Sequence, residues 1–127
     1  MTYTIKNLRD TKDSAPGGGF AEFGEAHFAR EELGAQATGV AYHVLKPSKR
    51  LPFGHRHNQA EEVYVILAGG GRMRLDDDTI DVGELDAIRV APPVARGFEA
   101  GPNGMSVLVF GPHFDKDGEL LHDFWES

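Results

Sequence analysis

A chain of 127 residues, 40% hydrophobic and 26% charged, reads as one soluble globular domain, long enough to bury a core without covalent staples. Its net charge of −7 would repel a phosphate backbone, so nucleic acid is not an expected partner. It has no cysteine, which excludes disulfides, thiolate metal sites and a cysteine nucleophile; the composition suits a reducing compartment, and a cytoplasmic location is expected.

The opening residues, up to about Gly19, are polar and rich in glycine and proline, with no apolar stretch of the kind that forms a signal peptide. They read as a loose arm or an edge strand. "FAEFGEAHFAREELGAQ" is open between a short helix and strands, with Phe20, Phe23 and Phe28 as anchors to the body. From residue 38 the pattern becomes short strands separated by turn signals. "TGVAYHVLK" is β-branched and aromatic, and "PSKRLPFG" ends it; "LKPSKR", the one basic stretch, reads as a solvated loop. "EEVYVILA" is a second strand, and its apolar run, Val63 to Ala68, is far too short to cross a bilayer, so no membrane is expected either. "GGG" at 69 to 71 and at 17 to 19 reads as flexible turns, since neither has the Lys-Ser/Thr partner of a phosphate loop. "RMRLD" alternates, with Met73 and Leu75 on one face and Arg72 and Arg74 on the other. "DDDT" is a tight turn, too poor in ligands for calcium. "IDV", "DAIRVA" (stopped by Pro92 and Pro93), "ARGFEA" and "MSVLVFG" complete the series. The tail from 112 is polar, with Leu120, Leu121, Phe124 and Trp125 as anchors on the barrel or on a partner subunit. Many short strands with little helix predict an all-β sandwich or barrel, organised as an arm (1–37), a barrel core (38–111) and a tail (112–127).

The densest chemistry lies in "FGHRHNQAEEVYVILAGGG", residues 53 to 71. His55 and His57 are two apart, so on an extended backbone they project from one face and can converge on one cation. If the following segment pairs with theirs as a hairpin, the Glu62 carboxylate reaches the same point. Tyr64 and Ile66 share the face of Glu62, whereas Glu61, Val63 and Val65 face away, which sets Glu61 aside as a solvated neighbour. Two histidines and one carboxylate suit a divalent transition metal (Fe, Mn, Ni or Zn) with positions left open for substrate.

These residues resemble the first motif of the cupin superfamily, G-x5-H-x-H-x3-4-E-x6-G. His55, His57, Glu62 and Gly69 fit, and Lys49 stands where the leading glycine is usual. "DAIRVAPPVARGFEA", 86 to 100, is similar in shape to the second motif, G-x5-P-x-G-x2-H-x3-N. There Pro93 stands for glycine, Arg96 stands where the family places its last metal-binding histidine, and the final asparagine is missing. The resemblance covers about residues 38 to 111. It implies a double-stranded β-helix barrel of the jelly-roll type with the site inside it, often a homodimer, and dioxygenase, isomerase or decarboxylase chemistry among its members.

Arg96 is the decisive departure. A guanidinium stays protonated and has only donors, so it cannot ligate. Two like charges about 4 Å apart repel by roughly 4 kcal/mol at an effective dielectric near 20, enough to weaken metal binding by orders of magnitude. Three outcomes are open: Arg96 pairs with Glu62 and leaves a metal-free pocket, it holds an anionic group of a small-molecule ligand beside the metal, or it swings outward. His43 is a further candidate from the barrel wall, as a substitute ligand, an acid/base group or a hydrogen-bonded strand histidine. Tyr64 could donate a proton to a substrate, and Gln59 lies in the turn beside the site. His27, His113 and His122 read as structural. The functional alternatives are a metal-dependent enzyme, a metal-free binding or sensing module centred on Arg96, and a structural homodimer.

Overall fold

A computed structural model describes residues 2–126. Among these residues eight strands make up about half of the molecule: β1 (Gly24–Phe28), β2 (Thr38–Leu45), β3 (Gly54–His57), β4 (Glu62–Leu75), β5 (Asp78–Gly83), β6 (Ala87–Val90), β7 (Arg96–Pro112) and β8 (Gly118–Leu121). All their pairings are antiparallel, in the order β1-β2-β7-β3-β8, while β4 adds pairings with β5, β6 and β7. The two long strands β4 and β7 run side by side for most of their length and curl the sheet around one interior. This is an all-β barrel, one of the two forms expected from the strand pattern, and of the jelly-roll type that the resemblance implied.

"EEVYVILAGGGRMRLD" is one strand and not two. The glycines at 69 to 71, read as a turn, lie inside β4, where the pairing with β7 slips between Ile66 and Ala68 and again between Gly69 and Gly71. A bulge of this kind turns successive side chains to the other face. It moves the buried set from even positions (Tyr64, Ile66) to odd ones (Met73, Leu75). The glycines permit the bend: Gly69 has φ +70°, and a Cβ at Gly71 would lie 2.1 Å from the Glu99 carbonyl oxygen. "ARGFEA" and "MSVLVFG" likewise belong to one strand, β7. Tyr64, Ile66, Met73, Val82, Val90, Met105, Val107 and Val109 form the centre of the core.

The chain outside this barrel is more ordered than its composition suggests. Of "FAEFGEAHFAREELGAQ", Gly24–Phe28 joins the sheet as β1 and Arg30–Leu33 forms a single helical turn. The arm covers the outer side of β1: buried His27 meets the Thr11 carbonyl oxygen at 2.9 Å and Glu25 at 2.9 Å, a structural role as anticipated. Phe20 packs against Phe23 and Phe53, but Phe28 is 59% exposed and anchors nothing outside the barrel. In the tail, Leu120 is also exposed, and the anchor is Phe124. Its ring occupies space left by two glycines; a Cβ at Gly54 would lie 2.6 Å from it and one at Gly97 2.8 Å. The Arg74 guanidinium stacks on the same ring and donates to the Phe124 carbonyl, which explains why an outward-facing arginine is buried. Trp125 donates to the Leu51 carbonyl. Phe124→Ala should therefore lower unfolding free energy by about 3–5 kcal/mol in urea titrations. Gly54→Ala should produce a loss of the same sign by filling the ring's place.

Candidate metal centre

β3 and β4 do not pair. β3 is hydrogen-bonded to β7 and β8, so the hairpin that would bring Glu62 to the histidines does not form. They meet instead because the barrel closes. Strand alternation turns His55 and His57 to the inside and Gly54 and Arg56 to the outside, and Glu62, from the first turn-in of β4, reaches them through the interior. One ligand atom from each of His55, His57 and Glu62 lies within 4.8 Å of the others. Glu61 points away and pairs with Arg89 on the surface.

A single oxygen, Glu62 Oε1, is the focus. Tyr64 donates its hydroxyl to it at 2.8 Å; His57 Nε2 lies at 3.1 Å, His55 Nε2 at 3.3 Å and Arg96 Nη1 at 3.4 Å. Burial opposes charge on Glu62, but the hydrogen bonds from His55, His57 and Tyr64 outweigh it and hold the carboxyl well below the usual range. Burial beside this anion pushes the Tyr64 hydroxyl well up, so it stays protonated.

Arg96 points inward with no exposed surface, which excludes the outward position. Besides Glu62, it donates Nη2 to the Ala91 carbonyl at 2.9 Å, while its Nε has no partner among the described residues. Inside the barrel it acts as a donor to Glu62 and to the β6–β7 corner.

One residue of the site was invisible in the sequence. Asp117, just before β8, is buried and accepts from the backbone N–H of Gln59 at 2.8 Å and of Ala60 at 2.9 Å, while His57 Nδ1 lies 3.1 Å from its Oδ2. Burial opposes its charge, but those amide donors hold its carboxyl below the usual range. Sixty positions and an intervening barrel separate Asp117 from His57, and no spacing signal in "DKDG" points to it. Gln59 enters the site only through its backbone; its side chain is exposed and lies outside the cavity. His43, on β2, faces the interior and lines the cavity; burial, reinforced by His55, pushes its pKa down to about 4, so the ring is neutral.

These residues fit a divalent cation. His57 has a carboxylate at each ring nitrogen, at 3.1 Å on both sides. A neutral imidazole has one N–H, so it cannot donate to both. Either the ring carries a second proton, as its raised pKa (driven first by the Glu62 hydrogen bond) indicates for the metal-free protein, or a cation stands between Nε2 and Oε1. A histidine whose far nitrogen donates to a fixed carboxylate is the usual arrangement of a metal ligand.

No family model matches this sequence. A 70-residue stretch is 33% identical to an uncharacterised protein of Methanocaldococcus jannaschii, covering 53% of this chain and 56% of that protein, so the match spans little more than half of the curated relative's length. Among solved structures, a cupin protein from Bacteroides fragilis superposes with a TM-score of 0.71 at 21% identity, over 91% of this chain and 88% of its own. This chain folds as a cupin. A polyketide cyclase from Streptomyces resistomycificus superposes on the same cupin barrel with a TM-score of 0.74 at 20% identity, over 94% and 84% of the two chains. A sugar phosphate isomerase of the cupin superfamily from Silicibacter pomeroyi gives 0.63 at 16%, over 73% and 61%. At these identities the likeness speaks for the fold alone, and this chain's chemistry has to be read from its own site. Asp117→Asn replaces one acceptor oxygen by a donor and should weaken zinc binding about 10–100-fold, measured by competition with a chromophoric chelator.

Proposed function

We propose that this cupin is a metal-dependent enzyme that holds one divalent transition metal on His55, His57 and Glu62 and works on a small molecule bound in the barrel. The observation that carries the reading is His57 between two carboxylates, a histidine built to present Nε2 to a cation. The cavity above the site measures about 1060 Å³, at the upper end of the range that houses drug-sized ligands. Bound there, the metal would act as a Lewis acid or redox centre, with positions left open because the chain offers three ligands.

The protein's own groups have separable roles in this reading. Asp117 orients His57, and Tyr64 and Arg96 orient Glu62. Neutral His43 is a hydrogen-bond partner or proton acceptor on the cavity wall. With Arg96 fully covered, an anionic ligand group would have to displace Glu62 to reach it. A small-molecule partner and a homodimeric assembly, following the family resemblance, belong to the same proposal.

One observation favours a second reading. The Arg96 charge already faces Glu62 at 3.4 Å and lowers the need for a cation. In that case the barrel is a metal-free binding module. Elemental analysis separates the two. After reloading with Fe, Mn, Ni and Zn, the first reading expects close to one metal per chain, lost in His57→Ala; clearly less than that in the wild type would sink it. Because the His57 pKa is raised, metal has to displace a proton, so apparent affinity should climb as pH rises past 6.5, the ordinary histidine value. Calorimetry in buffers of different ionisation enthalpy reads that proton directly. Arg96→His removes the charge and supplies an imidazole, and should raise affinity by about tenfold or more.

A further inference from the structure

Six of the chain's eight phenylalanines line the one cavity that leads to Glu62. Phe20 and Phe53 meet edge to face at 4.7 Å, and Phe28 stands edge-on to the His43 ring at 5.5 Å. Fold stability does not account for all of them. Phe28 is 59% exposed, Phe114 39% and Leu120 54%, yet all three border the cavity. Register explains where they sit. Phe28 pairs with Ala41 of β2, and Leu120 pairs with His55 of β3, so each shares the inner face of the barrel with its partner. They form an apolar mouth above a polar floor.

The walls are poor in cations that could hold an anionic ligand. Six acidic side chains border the cavity against three basic ones. Of the three, Arg96 has no exposed surface and Arg30 is engaged with the Ala35 carbonyl and Glu31. Each buried hydroxyl of a sugar needs a partner, and between mouth and floor the interior-facing side chains of β1 and β2 are Ala26, Phe28, Ala41, His43 and Leu45. The His43 ring has an aromatic contact and no hydrogen bond among the described residues. It is an isolated polar group on an apolar wall, the arrangement that fixes the orientation of an otherwise apolar ligand.

We propose that the cavity takes an aromatic molecule whose ring system is uncharged, packed among Phe20, Phe28 and Phe53, with an oxygen substituent directed at His55, His57 and Glu62 and His43 as its hydrogen-bond partner on the wall. Aromatic rings favour the edge-to-face and offset contacts these side chains already make with one another. For the group that receives the oxygen, the inference rests on the metal centre proposed above.

The test titrates 2-naphthol and, separately, glucose 6-phosphate into the zinc-loaded full-length protein, followed by naphthol fluorescence and by backbone amide shifts. The expected result is saturable 2-naphthol binding with shifts concentrated on β1 and β2, and glucose 6-phosphate weaker by about tenfold or more. Phe28→Ala should weaken naphthol by about tenfold, the worth of one aromatic contact; so exposed a side chain can be removed without unfolding the barrel. Absence of saturable naphthol binding, tighter binding of glucose 6-phosphate, or naphthol affinity unchanged from the wild type in both Phe28→Ala and Phe53→Leu overturns the proposal. So does a Phe28→Ala protein that changes from dimer to monomer with naphthol affinity unchanged, which assigns the mouth to a second copy of the chain. Zinc content on the same sample keeps the two readings apart. Zinc retained without naphthol binding overturns the ligand class alone. Naphthol bound equally after zinc is stripped supports the ligand class and removes the metal from its recognition.

Discussion

The site depends on one buried carboxylate. Glu62 Oε1 has four donor groups within 3.4 Å, more than one oxygen's lone pairs can serve at full strength. Burying that charge alone would be prohibitive, and each neighbour contributes to keeping it ionised. Tyr64 is packed into the core below it, Arg96 is locked to the β6–β7 corner, and the two histidines come from a strand that is held in turn by β8. The convergence of positive and donor groups on Glu62 is the constraint around which the barrel interior is arranged.

The C-terminal segment is part of that arrangement and not an appendage. Asp117 fixes His57 and the turn at 58 to 60, β8 pairs along the whole of β3, and Phe124 seats on Gly54 and Gly97, next in sequence to His55 and Arg96. Packing on the outside of the barrel thereby sets the position of His55, His57 and Arg96 on the inside. A rigid strand transmits such a constraint with little loss, because its side chains alternate between the two faces.

The contrast between floor and mouth gives the cavity its character. The charged groups around Glu62 are paired at the floor, the wall above them carries phenylalanines and the neutral His43, and exposed charged side chains such as Glu31, Glu32 and Glu119 also border the cavity.

Much of this was legible in the residues. Alternation gave the strands, the two-residue spacing put His55 and His57 on one face, and the same parity separated Glu62 from Glu61. These are local properties, set by the two-residue period of an extended backbone. Other features needed the folded chain. The union of "EEVYVILA" and "RMRLD" into β4 depends on glycines that read locally as a turn, because only the approach of β7 shows why a Cβ cannot be there. Phe28 reads as an anchor in sequence and stands at the cavity mouth in space. The hairpin between the histidines and Glu62 was a sound local guess, and barrel closure replaced it. Asp117 carried no sequence signal, since its partner lies sixty positions away and only pairing of β8 with β3 brings the two together. For Arg96 the sequence determined the chemistry, a fixed cation that cannot ligate. The tertiary structure decided among its three open positions, because the interior brings a carboxylate and two carbonyls within reach of the guanidinium.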